Sequence, residues 1–162
     1  GLYAVPGMVE ALQREVIERA KPFLGICVGM QLMATRGVEY GIHAGLDWIA
    51  GNVVRIEPGK DHLKIPHMGW NELRELKPHA LLEGIAEGVY MYFVHSFYPK
   101  PVDDSVVLSV TRYGPTTFCS TLHQQNVIAC QYHPERSGPQ GLRVYRNLAR
   151  RINPAVREAL HA

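Results

Sequence analysis

Apolar residues recur at a helical interval near the start of the chain. In "GMVEALQREVIERA", Met8, Leu12 and Val16 fall at i, i+4 and i+8 while Glu10, Arg14 and Glu18 take other faces, which predicts an amphipathic helix ending at Lys21-Pro22. "PFLGI" then reads as a short buried strand. "VGMQLMATRG" restores helical character, with Gly37 placed as a C-cap. The period changes after that. "GNVVRIEPG", "LKIPHMGWNEL", "GVYMYFVHSFYP", "SVVLSVTRYG" and "TTFCSTL" are β-branched or aromatic runs divided by Gly, Pro and Asn, and predict short strands and turns. "NVIACQYHP" is a continuous apolar strand stopped by Pro134. "GLRVYRNLARRI" closes the pattern as a helix with Leu142, Tyr145, Leu148 and Ala149 on one side. Strand and helix alternate at both ends around β-rich material, so the expected class is α/β: a mixed sheet flanked by helices, with an antiparallel portion.

The chain has 162 residues, 46% of them hydrophobic, which suffices for one packed domain spanning 1–162. Seventeen Lys and Arg oppose 15 acidic residues for a formal charge of +2, without a run of five like charges, so no nucleic-acid partner is expected. "VYMYFVHSF" is far too short to span a membrane, and the N-terminus lacks a basic-then-apolar leader. A cytoplasmic protein is expected. Cys27, Cys119 and Cys130 cannot all pair with one another and form no CxxC, which points to free thiols in a reducing compartment. No phosphate loop, metal signature or dinucleotide fingerprint is present, and no cofactor is expected.

Cys27 stands apart from the other two thiols. In "PFLGICVGMQ" it lies between Gly25 and Gly29, at the junction of a predicted strand and a predicted helix. Glycines there permit strained backbone angles and clear space around the central residue. The helix starting at Val28 would aim N–H groups at the sulfur, favouring thiolate, and could stabilise an oxyanion on a substrate carbonyl. A structural turn with a buried thiol fits the same pattern. A nucleophilic cysteine needs a base and the base an orienting group. His133 ends the apolar strand, where its ring would project at the C-terminal rim of a sheet, and Glu135 can reach back to it. A solvated surface turn is the other reading of "HPE". Cys119 and Cys130 are assigned to packing. His43, His62, His67, His79 and His123 lie in polar or turn contexts that suit solvated or structural histidines.

"PFLGICVGMQ" and "QYHPERSG" together resemble the class I glutamine amidotransferases, whose fold is flavodoxin-like and whose triad runs Cys, His, Glu along the chain. Within that family "KIPHMGWNEL", "MYFVHSFY" and "GLDWIAGNVVRI" look like the branch that supplies ammonia to the cyclase subunit of imidazole glycerol phosphate synthase, in histidine biosynthesis. The resemblance runs from about Pro22 to Leu148. It implies glutamine as substrate, Cys27 as nucleophile, His133 as general base and then acid, and Glu135 as its orienter. It also implies glutamine contacts from Gly25, Val28, Gln31, His95, Ser96 and Phe97. Met68, Trp70 and Asn71 would form an interface with the cyclase subunit in a heterodimer, Tyr92 would lie near the ammonia passage, and His67 shares that loop. Taken alone, a Met-Gly-Trp run equally fits core packing.

The match departs from the family at the start of the chain. Members usually open with a strand, a helix and a second strand ending in a Pro-Gly-x-Gly segment beside the glutamine site. "AVPGM" comes too late to be that segment, so the domain is expected to lack its usual N-terminal part, with consequences for sheet edges and for the oxyanion site. Arg136 stands where Lys is frequent and Phe97 where Tyr is frequent. Two other readings stay open: a γ-glutamyl hydrolase-like enzyme using the same triad without a partner, and a non-catalytic module that keeps the fold.

Overall fold

The computed structural model describes residues 2–60 and 62–153. Helix α1 (Met8–Leu12) runs on without a break as a π-helical segment, Gln13–Glu18, and leads to strand β1 (Phe23–Ile26) and helix α2 (Val28–Leu32). Strands β2 (Ala34–Gly37), β3 (His43–Ala44), β4 (Ile49–Arg55), β5 (His67–Glu72), β6 (Tyr90–His95), β7 (Phe97–Pro101), β8 (Val107–Tyr113), β9 (Thr116–Gln124) and β10 (Val127–Cys130) follow, and helix α3 (Gly138–Ile152) ends the described chain.

The strands form three sheets, ordered β1-β10-β9-β8, β3-β2-β4-β7 and β5-β6. In the first, β1 pairs parallel with β10, whereas β10-β9 and β9-β8 are antiparallel, giving the expected mixed sheet. Its middle strands are buried on both faces, which explains the unbroken apolar run in "VIAC". Val127 and Ala129 of β10 point into a core with Val16, Met30 and Met33, beneath the N-terminal helices. Ile128 and Cys130 point the other way, into a core with Phe93, Tyr132 and Val144 of α3. Helices therefore cover both faces, as in an α/β layered fold.

Three expectations are corrected. The helix predicted across "VGMQLMATRG" stops at Leu32, and Gly37 ends a strand instead of capping a helix. The carbonyls at that helix end are taken by incoming amides: Leu46 N–H donates to Leu32 O (2.7 Å) and Trp48 N–H to Met33 O (2.9 Å). Long-range capture thus outweighs helix propensity. The run "GVYMYFVHSFYP" is two strands in two different sheets, parted by a bend at Ser96 whose carbonyl accepts from Ile56 N–H (2.9 Å). In α3 the buried stripe is Gly141, Val144 and Asn147, while Leu142 is exposed; Asn147 is inward because its amide donates to Leu81 O and Glu83 O.

Candidate active site

Cys27 is the single residue between β1 and α2, with φ 52° and ψ −107°. A non-glycine residue there costs about 1–3 kcal/mol, and such strain persists only where the surroundings impose it. Its N–H donates to Cys130 O (2.8 Å), and its own carbonyl accepts from Met30 N–H (3.0 Å) and Gln31 N–H (3.2 Å). The turn is tight enough that a Cβ on Gly25 would stand 2.3 Å from Met33 Cε and 2.8 Å from Gly29 O. Gly25→Ala is therefore expected to lower stability by about 1–3 kcal/mol, read as a reduced urea midpoint with an unchanged slope. Gly29 has open space where a Cβ would lie, so the absent side chain leaves the approach to the turn clear.

The sulfur is half-buried. Gln131 Nε2 donates toward Sγ at 3.5 Å, and the thiol lies 3.9 Å from Val94 O. Burial pushes the Cys27 thiol up; the Val28 N–H and the Gln131 amide oppose this, and the Glu135 carboxylate adds to it. Burial thus works against the thiolate that the helix start favours. With only five residues, α2 offers too little dipole to offset the loss of water around the sulfur.

His133 follows β10 by three residues. Since Ile26 pairs with Cys130 across the parallel β1-β10 ladder, Cys27 and His133 both emerge at the C-terminal rim of adjacent strands. Strand β6 spans them: Tyr92 O accepts from His133 N–H (2.9 Å), and Val94 O faces the Cys27 thiol. The imidazole Nδ1 donates to Glu135 Oε1 at 2.7 Å, and Tyr145 Oη donates to Glu135 Oε2 at 3.4 Å. His133 Nε2 is buried without a hydrogen-bond partner among the described residues. With the proton held at Nδ1, Nε2 carries the lone pair, which is the state a general base requires. Ser137 clasps this corner, donating to His133 O (2.6 Å) and accepting from Tyr92 N–H (2.9 Å).

The other predicted site residues divide into groups. Gln31 is turned toward the nucleophile, its Nε2 donating to Phe97 O (2.8 Å) and to Gln131 Oε1 (3.1 Å). Val28 is exposed beside Cys27. His95 is 5% exposed, with both ring nitrogens engaged internally, to His67 and to Phe97 O. Ser96 forms the bend from β6 to β7, and Phe97 opens β7. In the β5-β6 ladder Trp70 pairs with Tyr92 and Met68 with Val94. Those four share the outward face, where Met68 and Trp70 are 60% and 55% exposed, so core packing is excluded for them. The Arg136 guanidinium lies 4.2 Å over the Tyr92 ring on the same side. Asn71 is separated from this group: its amide donates to His67 and to Arg112 O. His67 is no solvated turn histidine either, being 3% exposed.

Gln131, Ser137 and Tyr145 touch the candidate site and were missed by sequence reasoning. Gln131 had a signal: a polar residue inside a continuous apolar strand must find a partner, and it is fully buried. Tyr145 and Ser137 had none, because their partners lie on other elements. Cys119 and Cys130 are buried in β9 and β10, and burial pushes the Cys119 thiol up to about 12. Among the described residues, no group of three or more His, Cys, Asp or Glu side chains could hold a metal ion, and no helix is long and apolar enough to cross a membrane.

Known proteins resemble this chain in sequence and in fold. The family profile for glutamine amidotransferase class-I matches residues 2–152. Imidazole glycerol phosphate synthase subunit HisH of Rhodospirillum rubrum is 50% identical over 152 residues, covering 93% of this chain and 70% of that protein. The subunit of the same name from Cereibacter sphaeroides is 46% identical over 141 residues, covering 87% of this chain and 66% of that protein. A solved structure described as a glutamine amidotransferase superposes with a TM-score of 0.60 at 22% identity, over 86% of this chain and 66% of the other. The match along nearly the whole chain, at half-identical residues and on the same layered scaffold, places this chain in the class-I glutamine amidotransferase family.

Proposed function

We propose that this chain hydrolyses glutamine to glutamate and ammonia with Cys27, His133 and Glu135, and passes the ammonia to the cyclase subunit of imidazole glycerol phosphate synthase, a cytoplasmic heterodimer of histidine biosynthesis. The observation that carries the chemistry is the imidazole whose Nδ1 is committed to Glu135 while Nε2 stands buried and unpartnered among the described residues, at the rim where the thiol emerges.

The resting thiol gives its proton to His133 Nε2 as the sulfur attacks the side-chain amide carbon of glutamine. Glu135 steadies the imidazolium that forms, and Tyr145 fixes the carboxylate from its far side. The tetrahedral intermediate collapses as Nε2–H protonates the leaving nitrogen, releasing ammonia and leaving a γ-glutamyl thioester on Cys27. Water, deprotonated by Nε2, attacks the thioester; glutamate leaves and the sulfur regains its proton. The Val28 N–H adjoins the sulfur and lies where an oxyanion donor is useful.

The partner reading rests on the relatives' names and on the outward face of β5-β6. Met68, Trp70 and Tyr90 are exposed there, on the strand pair whose β6 backbone holds both His133 and Cys27. Exposed aromatic and Met residues grouped on one face suit the centre of a protein interface. Docking on it would seal the site, keeping ammonia from water, where it would become ammonium and lose its lone pair.

Glutamate release is to be measured with and without a cyclase subunit. The partner is expected to raise turnover. Trp70→Ala is expected to weaken association by about 2 kcal/mol or more, roughly thirtyfold in Kd, with an unchanged melting temperature. Turnover at full rate without any partner, insensitive to Trp70→Ala, would instead favour a free-standing γ-glutamyl hydrolase.

A further inference from the structure

We propose that Asn71, His67 and His95 form a one-way hydrogen-bond relay, tying strand β5 of the docking face to the Phe97 carbonyl and through Gln31 and Gln131 to the Cys27 sulfur, with the two histidines as positioning residues. This deepens the glutaminase reading and rests on it only for the turnover arm of the test below.

The proton order is set from both ends. At one end, Phe97 O can only accept, so His95 Nδ1, 2.8 Å away, carries hydrogen. A neutral ring then presents a lone pair at Nε2, and His67 Nδ1, 3.0 Å from it, must be the donor. That leaves His67 Nε2 as an acceptor. At the other end, the Asn71 amide is oriented independently: its Oδ1 accepts from Glu72 N–H (2.8 Å), and its Nδ2 donates to Arg112 O (3.0 Å). The same Nδ2 lies 3.1 Å from His67 Nε2, where a donor is required. The two ends demand the same order, and no second arrangement of two neutral rings satisfies both.

The surroundings hold the rings in place. His67 is stacked between Phe93 and Tyr113, with ring centroids at 5.1 and 4.2 Å, and His95 meets Phe118 edge-on at 4.8 Å. An added proton on either ring would point N–H at N–H, with the rings only 3% and 5% exposed. Phe97 O is where the relay meets the nucleophile's own chain. The same oxygen accepts from Gln31 Nε2 (2.8 Å), Gln31 donates to Gln131 Oε1 (3.1 Å), and Gln131 Nε2 reaches Cys27 Sγ (3.5 Å). The other face of β5 presents Met68 and Trp70. Movement of that strand on docking is thus conveyed to the bend at residues 95–97 and to the sulfur by direct bonds.

Two measurements test this. Long-range proton–nitrogen NMR spectra of the full chain, labelled with nitrogen-15, show which ring nitrogen bears hydrogen in each histidine. Both His67 and His95 are expected as neutral Nδ1–H rings at pH 7.5. Hydrogen on Nε2 of either ring overturns the relay, and this result is independent of glutamine turnover. In the complex with the cyclase subunit, His67→Phe keeps the aromatic packing and removes both nitrogens; KM for glutamine is expected to rise roughly 10- to 100-fold. His67→Asn places an N–H donor where Nδ1 was and is expected to recover most of that loss. A purely structural role would lower the folded fraction and leave KM alone. Wild-type KM in folded His67→Phe, or equal KM in the Phe and Asn variants, would overturn the proposal. If the wild-type complex releases no glutamate, the glutaminase reading fails while the NMR result still decides the relay.

Discussion

Cys27→Ala is expected to cut glutamine turnover by at least about 10⁴-fold, because the covalent route disappears with the sulfur and only binding and polar stabilisation remain. No other thiol can substitute. Cys119 and Cys130 are 6% and 0% exposed, and burial holds both thiols well above the ordinary range. The fold should tolerate the change: the bonds that set the turn are made by the Cys27 backbone, which alanine retains, although φ 52° remains strained for it. A glutamine-analogue electrophile gives the complementary reading. It should modify Cys27 alone, as found by peptide mass mapping, and Cys27→Ala should take up none. In the proposed mechanism the Cys27 proton passes to His133, so His133→Asn is expected to suppress labelling as well. An alanine variant with more than a small fraction of wild-type turnover would remove the sulfur from the chemistry altogether.

Stability is expected to fall as pH drops from 6.5 toward 4. Burial pushes His67 and His95 down to about 4 from the ordinary 6.5, so the folded rings stay neutral where those of the unfolded chain take up protons. Between pH 6.5 and about 4 the unfolded state binds more protons, and stability falls as pH falls. The contribution is fully present above pH 6.5 and is lost toward pH 4. Linkage gives on the order of 3 kcal/mol per ring, a large part of a small domain's total. His79 and His123 are lowered in the same direction but are half-exposed and contribute less. Urea midpoints at pH 7.5, 6 and 5 should decline steadily, and His67→Phe should flatten the decline by removing one buried titration. A midpoint flat from pH 7.5 to 5 would contradict this account.

What the sequence discloses about this molecule follows the range of the interactions involved. The elbow is legible because its cause is local: a strand, a glycine two residues either side, and a helix all lie within ten positions. The "VIAC" strand is legible because burial on both faces leaves every position apolar. The helix over "VGMQLMATRG" is misread because Leu46 and Trp48, more than ten residues later, take the carbonyls that would have extended it. Similarly, "GVYMYFVHSFYP" gives no sign that Ser96 moves the chain from one sheet to another, since the bend is held by Ile56. His67 stays undecided between solvated and structural in the sequence for the same reason: only the fold brings Phe93 and Tyr113 against it.

The strand that leads to His133 has no wet face, as Val127 through Cys130 feed two cores at once. Backbone amides in such a strand exchange with solvent only when the whole molecule opens, and its ladder to β1 seats Cys27 on the same unit. The nucleophile and the base are thereby joined through the most buried strand of the described sheet. Amide exchange is expected to be slowest across β10, so the spacing of the two groups is tied to that slowly opening unit.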